Sequence, residues 1–259
     1  MICKICNGEG NKIFVSKILK KYDVQYFSCP KCGFVFVENP YWLEEAYMYP
    51  INLADTGILA RNIFLSNLVI NIIYYLFNYK GKFLDFAGGY GVFTRLMRDW
   101  GFNFKWQDKF SQNLLARGFE YSKKGDSDFE LVTAFEVFEH LVNPINELEE
   151  IFKISKNVLF STVLIPDKII NPSDWWYYGF NHGQHVSFYS KKTLEYIANK
   201  YELNYYTNGE SFHIFTNRKI SQVLFRVLVS NKFGFFARLW AKKHLKSKTW
   251  EDYLSMDSK

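Results

Sequence analysis

The stretch Leu84-Asp85-Phe86-Ala87-Gly88-Gly89-Tyr90-Gly91 decides how the rest of this sequence is read. Before it, Phe83, Leu84 and Phe86 form a short apolar run with aromatic content, which suits a buried strand; after it, Val92 to Trp100 reads as a helix that Gly101 is placed to end. The glycines therefore fall in a strand-to-helix turn. Glycine tolerates positive φ and has no side chain, so such a turn lets the backbone approach a nucleotide closely. Asp108 follows seventeen positions beyond Gly91, at the end of a second predicted strand in which Phe102, Phe104 and Trp106 alternate with Asn103, Lys105 and Gln107. That is where a ribose-binding acid belongs.

Two kinds of protein use this arrangement, and they differ in glycine spacing. Dinucleotide enzymes use G-x-G-x-x-G, whereas no glycine lies three positions beyond Gly91 here. The run from Asp85 to Gly91 instead resembles motif I of the class I S-adenosylmethionine-dependent methyltransferases, commonly D-x-G-x-G-x-G. Ala87 departs from that pattern at the first glycine, and Gly88 stands where cysteine or another small residue is frequent. The resemblance implies an α/β fold with a Rossmann-like seven-strand sheet. It also implies S-adenosylmethionine bound by Asp85, Ala87, Gly88, Gly89, Gly91 and Asp108, with Glu136 added from a later motif. The competing reading is a tight turn with no ligand.

At 259 residues the chain can bury a full core, as one large domain or as one domain with a small appendage. It is 48% hydrophobic and 20% aromatic, with a net charge of +6, which is compatible with acidic substrates and weak as an argument for nucleic acid. The start, Met-Ile-Cys-Lys-Ile-Cys, has no apolar signal-peptide core, and the apolar runs elsewhere are broken by Asn or charge. A cytoplasmic protein without a transmembrane segment is expected.

Cys3, Cys6, Cys29 and Cys32 are the only cysteines, spaced as C-x2-C, a gap of 22 residues, and C-x2-C. Two such turns each aim a pair of thiolates at one ion, giving the closed tetrahedral shell that structural zinc prefers. Pro30 and Gly33 favour the knuckle at the second pair, and Ile13 to Val15 with Val24, Tyr26 and Phe27 supply short strands of a zinc ribbon. Two disulfides are the alternative, disfavoured in a reducing compartment. A closed shell has no open position, so this metal serves folding. A short cysteine ribbon ahead of a class I domain resembles bacterial sugar methyltransferases of polysaccharide and antibiotic pathways.

Between Pro40 and Lys80 the sequence is helical and connective. Leu65, Leu68, Val69, Ile72, Ile73 and Leu76 mark a packing face, with Asn62, Ser66, Asn67 and Asn71 between them. The family counterpart of this helix lines the cofactor pocket, which makes Tyr47, Tyr49 and Arg61 candidates to reach ligand.

Phe129 to Phe135 reads as a further buried strand that runs into Glu136, Val137, Phe138, Glu139 and His140, before Asn143 and Pro144 supply N-cap and N1 of a helix. Ligands of doubly wound sheets sit beyond the carboxyl ends of the strands, where this E-x-x-E-H cluster falls. It resembles motif IV of small-molecule methyltransferases, and also the E-x-x-E-H of metal-dependent O-methyltransferases acting on small RNAs or in ubiquinone synthesis, where a later histidine completes a cation site. A later histidine exists: after a fifth strand, Asn157 to Thr162, comes an aromatic loop with Trp175 to Phe180, then His182 and His185. The tract Gly183 to Tyr189 resembles the H-x-S-F-F-S stretch of the same group. The catalytic candidates are thus His140, His185, Glu136 and Glu139: the histidines as general bases, or all four around a second divalent cation such as Mg, Mn or Fe. Hydrogen bonding within the loop is the structural alternative for the two glutamates. The aromatic loop reads equally as a lid for a flat acceptor and as a plug on the core.

Only twenty residues separate Asp108 from Phe129, which leaves a third strand at Phe119 to Tyr121, with Asp126 and Asp128 as candidates for adenine. Leu203 to Tyr206 and Phe212 to Thr216 read as the last strands. Beyond them Leu224, Val227, Leu228, Phe233, Phe235, Phe236, Leu239 and Trp240 lie among basic residues, as a terminal helix pair or a homodimer surface in preference to a membrane-lying helix. The division expected is a ribbon at 1–40, connecting helices at 41–80, the methyltransferase domain at 81–218 and a helical extension at 219–259. The function expected is O-methylation of a small-molecule acceptor, a saccharide or nucleotide-linked precursor of a bacterial surface (capsular) polysaccharide. Its rivals are a metal-dependent O-methyltransferase of RNA or a small phenol, and a zinc-ribbon protein that binds without catalysis. Nucleic acid is disfavoured because the basic residues form no stripe.

Overall fold

Continuous apolar runs in the middle of the chain become a central sheet, and alternating runs near its start become a smaller one. The computed structural model describes residues 1–48, 55–166 and 172–257. The small sheet opens the chain with antiparallel β1 (Asn11–Ile18), β2 (Tyr22–Ser28) and β3 (Val35–Val37). A short α1 (Leu43–Ala46) and the long α2 (Ile58–Leu76) lead to β4 (Lys82–Phe86), α3 (Val92–Asp99), β5 (Asn103–Gln107), β6 (Phe129–Ala134), α4 (Pro144–Ile154) and β7 (Val158–Ser161). Next come β8 (Ser187–Phe188), α5 (Lys191–Lys200), the hairpin β9 (Asn204–Thr207) and β10 (Phe212–Thr216), and α6 (Gln222–Leu228), α7 (Asn231–Lys242) and α8 (Thr249–Asp257).

The central sheet has the order β5-β4-β6-β7-β10-β9, parallel except for β10, which is antiparallel to both neighbours. Six strands form it among the described residues, one fewer than expected. At the seventh position the chain makes a single parallel bridge, Trp106 with Glu120, through two 2.8 Å hydrogen bonds of Trp106. The segment between Asp108 and Phe129 holds no helix, and so has nothing to carry a third crossover against the sheet.

Alternation along the strands sorts the core into two layers. Phe83, Leu131, Leu159 and Ile214 face α2, α3 and α6; Leu84, Val132, Phe160 and Phe215 face α4 and α5, in a cluster that continues into the four cysteines. The predicted face of α2 is buried as expected, yet Ser66 and Asn71, read as its polar side, are buried too. Asn71 Nδ2 donates to the carbonyls of Leu228 (2.9 Å) and Gly234 (3.0 Å), tying α2 to α6 and α7. The expectation that apolar runs stop short of a span fails for α2, which is long and apolar enough to cross a membrane by length and composition. Its interruptions are asparagines and a single charge, Arg61; the stretch from Leu65 to Ile73 packs on the core, while Leu59, Ile63 and Phe64 near its start are exposed. Pro144 takes the first turn of α4 as predicted, but the Asn143 side chain makes no capping bond. Ser190 does cap α5, in a reciprocal box with Thr193.

The ribbon is not a pendant. β3 pairs with β8 (Val35 with Phe188, Phe36 with Ser187), so a segment 150 residues downstream supplies the fourth strand of the small sheet. Thr193 Oγ1 also donates to the Cys32 carbonyl (3.0 Å) and Lys192 Nζ to that of Pro30 (2.9 Å), which docks the second knuckle on the start of α5.

Candidate active site

At the carboxyl ends of β4, β5 and β6 lies a cavity of about 1280 Å³. Its first wall is the turn after β4. Ala87, Gly89 and Gly91 have φ of 56°, 54° and 84°, the left-handed region, which alanine occupies at a cost of roughly 1–2 kcal/mol. Gly88 is required for a different reason: a Cβ there would lie 2.6 Å from Asp85 Oδ2 and 2.8 Å from Trp106 Cδ1. At Gly89 a Cβ would meet nothing within 4 Å, so this residue opens on the cavity. Gly91 packs against Asn113 and Ala116 and is not part of the wall.

The two aspartates have distinct work. Asp85 is buried under the turn, accepting from the hydroxyls of Thr94 (2.8 Å) and Thr133 (3.3 Å), and burial pushes its carboxyl up to about 7. Asp108 lies at the rim: Oδ2 accepts from Gly89 N (2.9 Å), and Oδ1 accepts from the amides of Phe110 and Ser111 (2.7 Å each). The glycine turn and the ribose-type acid are thus locked together. Asp126 and Asp128 do not line the cavity; Asp126 accepts from Ser122 N at 2.9 Å.

The opposite wall follows β6. Glu136 takes a left-handed φ of 55°, its amide donates to Ser161 Oγ (2.8 Å), and that hydroxyl donates back to Oε1 (2.7 Å). Its other oxygen faces Arg61 Nε at 3.5 Å, and Arg61 holds Asp55 with two bonds of 2.7 and 3.1 Å. Glu139 points elsewhere. It is fully buried and neither oxygen has a partner at hydrogen-bond geometry; burial first, then the charge of Glu136, pushes its pKa up to about 8, while the nearby hydroxyls of Tyr177 and Thr162 pull it the other way. One carboxylate oxygen of Glu139 and one ring nitrogen each of His140 and His185 lie within 4.8 Å of one another. The structure therefore brings three of the four catalytic candidates together and leaves Glu136 with Arg61.

Backbone carbonyls orient both imidazoles. His185 Nδ1 lies 2.6 Å from the Tyr177 carbonyl, and His140 Nδ1 lies 3.1 Å from that of Gln184 and 2.8 Å from Tyr47 Oη. A carbonyl only accepts, so each Nδ1 carries the proton and each Nε2 keeps its lone pair, the arrangement typical of histidine ligands. Burial holds His140 down at about 4 and His185 well below the usual imidazole range, so both are neutral at pH 7. Val186 N donates to the Glu139 carbonyl (2.8 Å) and Ser187 Oγ to that of Leu141 (2.6 Å), stitching the two motifs together; β3 holds the same segment from the ribbon side.

Tyr47 and Arg61 both border the cavity, and Tyr49 lies outside the described residues. The aromatic loop divides its labour: Tyr178 packs into the core and Trp176, 75% exposed, stands at the cavity. Gln184, Ser161 and Asp55 went unforeseen in these roles. For Gln184 and Ser161 the adjoining motifs were a signal; for Asp55 there was none. The wall carries six acidic side chains: Asp55 and Glu136 share Arg61, Glu147 pairs with Lys109 at 3.0 Å, Asp85 is held partly protonated near pH 7, and Glu44 and Asp108 leave the wall net negative, a field suited to a sulfonium cation.

In the ribbon, Cys3 Sγ and Cys32 Sγ are 3.6 Å apart, Cys6 Sγ and Cys29 Sγ 3.4 Å, and all four thiols are buried within 4.8 Å of one another. Four sulfurs about 2.3 Å from one ion would stand nearly this far apart. They fit the expected zinc, and no cysteine lines the cavity.

A family model described as a methyltransferase domain matches residues 62–208. No curated protein sequence matches the chain. Among solved structures, TnmH is 13% identical with a TM-score of 0.48 over 68% of this chain and 61% of its own; the chain thus spans about three fifths of that protein. An O-methyltransferase family protein from Burkholderia thailandensis is 13% identical, with a TM-score of 0.46 over 70% and 68%. The PH0226 protein from Pyrococcus horikoshii is 18% identical, with a TM-score of 0.44 over 68% and 99%.

Proposed function

The chain belongs to the S-adenosylmethionine-dependent methyltransferases, and from that premise we propose that it methylates an oxygen of a saccharide, a precursor of a bacterial surface polysaccharide, using Glu139, His140 and His185 as the acceptor-side machinery. The observation that carries this is the Glu139 carboxylate, buried with two unpartnered oxygens beside two imidazoles whose Nε2 lone pairs are free. Buried polar groups in native cores are rarely left without full hydrogen-bond partners, and a carboxyl of raised pKa beside two imidazoles is a group that a cation would ionise and hold. Of the two acceptor forms expected, the acidic wall favours the neutral sugar over a nucleotide-linked one, because its net negative charge opposes a diphosphate.

S-adenosylmethionine, when bound, supplies an already activated methyl group. The protein's part is to align and to dry the site. Gly89 gives backbone access, Asp108 offers its carboxylate to ribose hydroxyls, and the carboxylate field steadies positive sulfur. On the acceptor side a divalent ion held by Glu139, His140 and His185 would lower the pKa of a sugar hydroxyl. The donor set fits that ion better than it fits general-base catalysis, since an imidazole held at about 4 is a poor proton acceptor at neutral pH. Trp176 and Phe180 give flat surfaces for a sugar ring.

The test is calorimetric titration of the zinc-loaded chain with S-adenosylhomocysteine, followed by methyl transfer to a panel of saccharides and sugar nucleotides with and without Mn or Mg. Binding that Asp108→Ala weakens about 10- to 100-fold, with transfer dependent on added cation, supports the reading. Transfer undiminished after chelation removes the cation from it, and no S-adenosylhomocysteine binding removes the cofactor site.

A further inference from the structure

Helix α7 is built in reverse of an ordinary surface helix. Its inward positions are small: Gly234, Ala237 and Ala241, spaced three and four apart, face α2, where Tyr75 Oη donates to the Ala237 carbonyl at 2.9 Å. A Cβ at Gly234 would lie 2.8 Å from Asn71 Nδ2, so that contact admits no side chain. Its outward positions are large and apolar. Phe233, Phe236 and Trp240, at i, i+3 and i+7, are 64%, 70% and 56% exposed, with Phe235 and Leu239 beside them at 49% each. The preceding α6 continues the pattern with Val223 at 71% exposed. Single exposed apolar residues are ordinary on a protein surface, but a run of this kind on consecutive helices marks an interaction site.

Charge selects the occupant. From 219 to 248 the sequence holds eight Lys and Arg and no Asp or Glu. Lys242 and Lys246 are exposed without an ion pair among the described residues, and Lys243 Nζ sits 5.2 Å from the Trp240 ring. A second copy of the chain docked on this face by a two-fold axis would bring the exposed Lys242, Lys243 and Lys246 of both copies towards one seam, with no acidic residue on α6 or α7 to answer them. An anionic bilayer supplies both missing halves: acyl chains for phenylalanine and leucine, phosphates for the lysines, and a headgroup boundary for tryptophan.

We propose that α6 and α7 seat the protein on an anionic phospholipid membrane, with Phe233, Phe236, Leu239 and Trp240 entering the headgroup–acyl boundary and the basic residues meeting the phosphates. This stands apart from the identity of the methyl acceptor. The experiment is co-sedimentation of the full chain with vesicles of phosphatidylcholine alone or mixed with phosphatidylglycerol. Binding to the mixed vesicles is expected, weakened by high salt and lowered at least about tenfold by Phe236→Glu with Trp240→Glu at unchanged thermal unfolding. Lys242→Glu with Lys243→Glu should abolish the preference for phosphatidylglycerol. Failure to sediment with mixed vesicles, equal binding to both vesicle types, or a dimer in light scattering that Phe236→Glu dissociates would each overturn the proposal.

Discussion

The chain gathers two clusters of side chains of the kinds that ligate metals, and they are built on opposite plans. In the ribbon, four thiols of one kind are sealed from solvent and filled by their own number. Beside the cavity, one carboxylate and two imidazoles leave positions open, and the histidines are neighbours of a space large enough for two substrates. The first plan suits holding chain segments together; the second suits holding something the chain lacks. The difference teaches that donor count and access, more than donor chemistry, separate a site for folding from a site for reaction.

The largest effect expected is on the closed cluster. Cys29→Ser should lower the metal content of purified protein from one zinc per chain to none and expose the β1 and β2 amides to hydrogen exchange; a structural zinc is worth about 10–16 kcal/mol in isolated fingers. Full protection without metal would show that the thiols need no ion. Next is the open cluster: Glu139→Gln should abolish cation-dependent transfer, a loss on the order of 10²–10⁴-fold, while leaving the melting temperature of the metal-free protein near pH 7 little changed, because a buried carboxyl whose pKa of about 8 keeps it neutral is replaced by a neutral amide of the same shape. A drop in stability instead would mark Glu139 as a structural group.

A third effect, up to roughly 4 kcal/mol, concerns Asp85. Its pKa is 3.8 in a free chain and about 7 in the fold, so the folded state binds the extra proton between those values. The stability this gives is complete below about pH 4 and is lost as pH rises to about 7, at roughly 1.4 kcal/mol per unit. Thermal unfolding of Asp85→Asn across that range should lack this slope, and a parallel curve would count against the burial argument. The smallest effect is expected at Glu136→Gln. Glu136 pairs with Arg61 in a half-exposed bridge, so cation affinity should be unchanged and stability altered by less than about 1 kcal/mol. A large fall in cation affinity would return Glu136 to the open cluster.

What the sequence made legible was local. The turn at Asp85 to Gly91, the acid at Asp108 and the paired cysteines declare themselves by spacing within a few residues, and their geometry follows from backbone rules. The separation of Glu136 from Glu139 was not legible. Three positions apart in one motif, they diverge because Glu136 takes a left-handed φ and a 3-10 turn at Phe138–His140 intervenes. Asn71 looked polar by composition and became a buried tie because two carbonyls of the C-terminal helices needed a donor. The missing strand near Glu120 and the pairing of β3 with β8 depend on contacts that no window of sequence contains.

That pairing also sets a schedule for biosynthesis. The β1–β2 hairpin and the cysteine knuckles are made ahead of the central sheet, yet β3 lacks its outer partner until Phe188 has been made, 153 positions after Val35. At 5–20 residues per second the interval is roughly 8–30 s, during which Val35 and Phe36 present an unpaired strand edge. A module translated ahead of the central sheet is thus finished only after most of that sheet's strands exist, and early capture of zinc would be what guards it in the meantime.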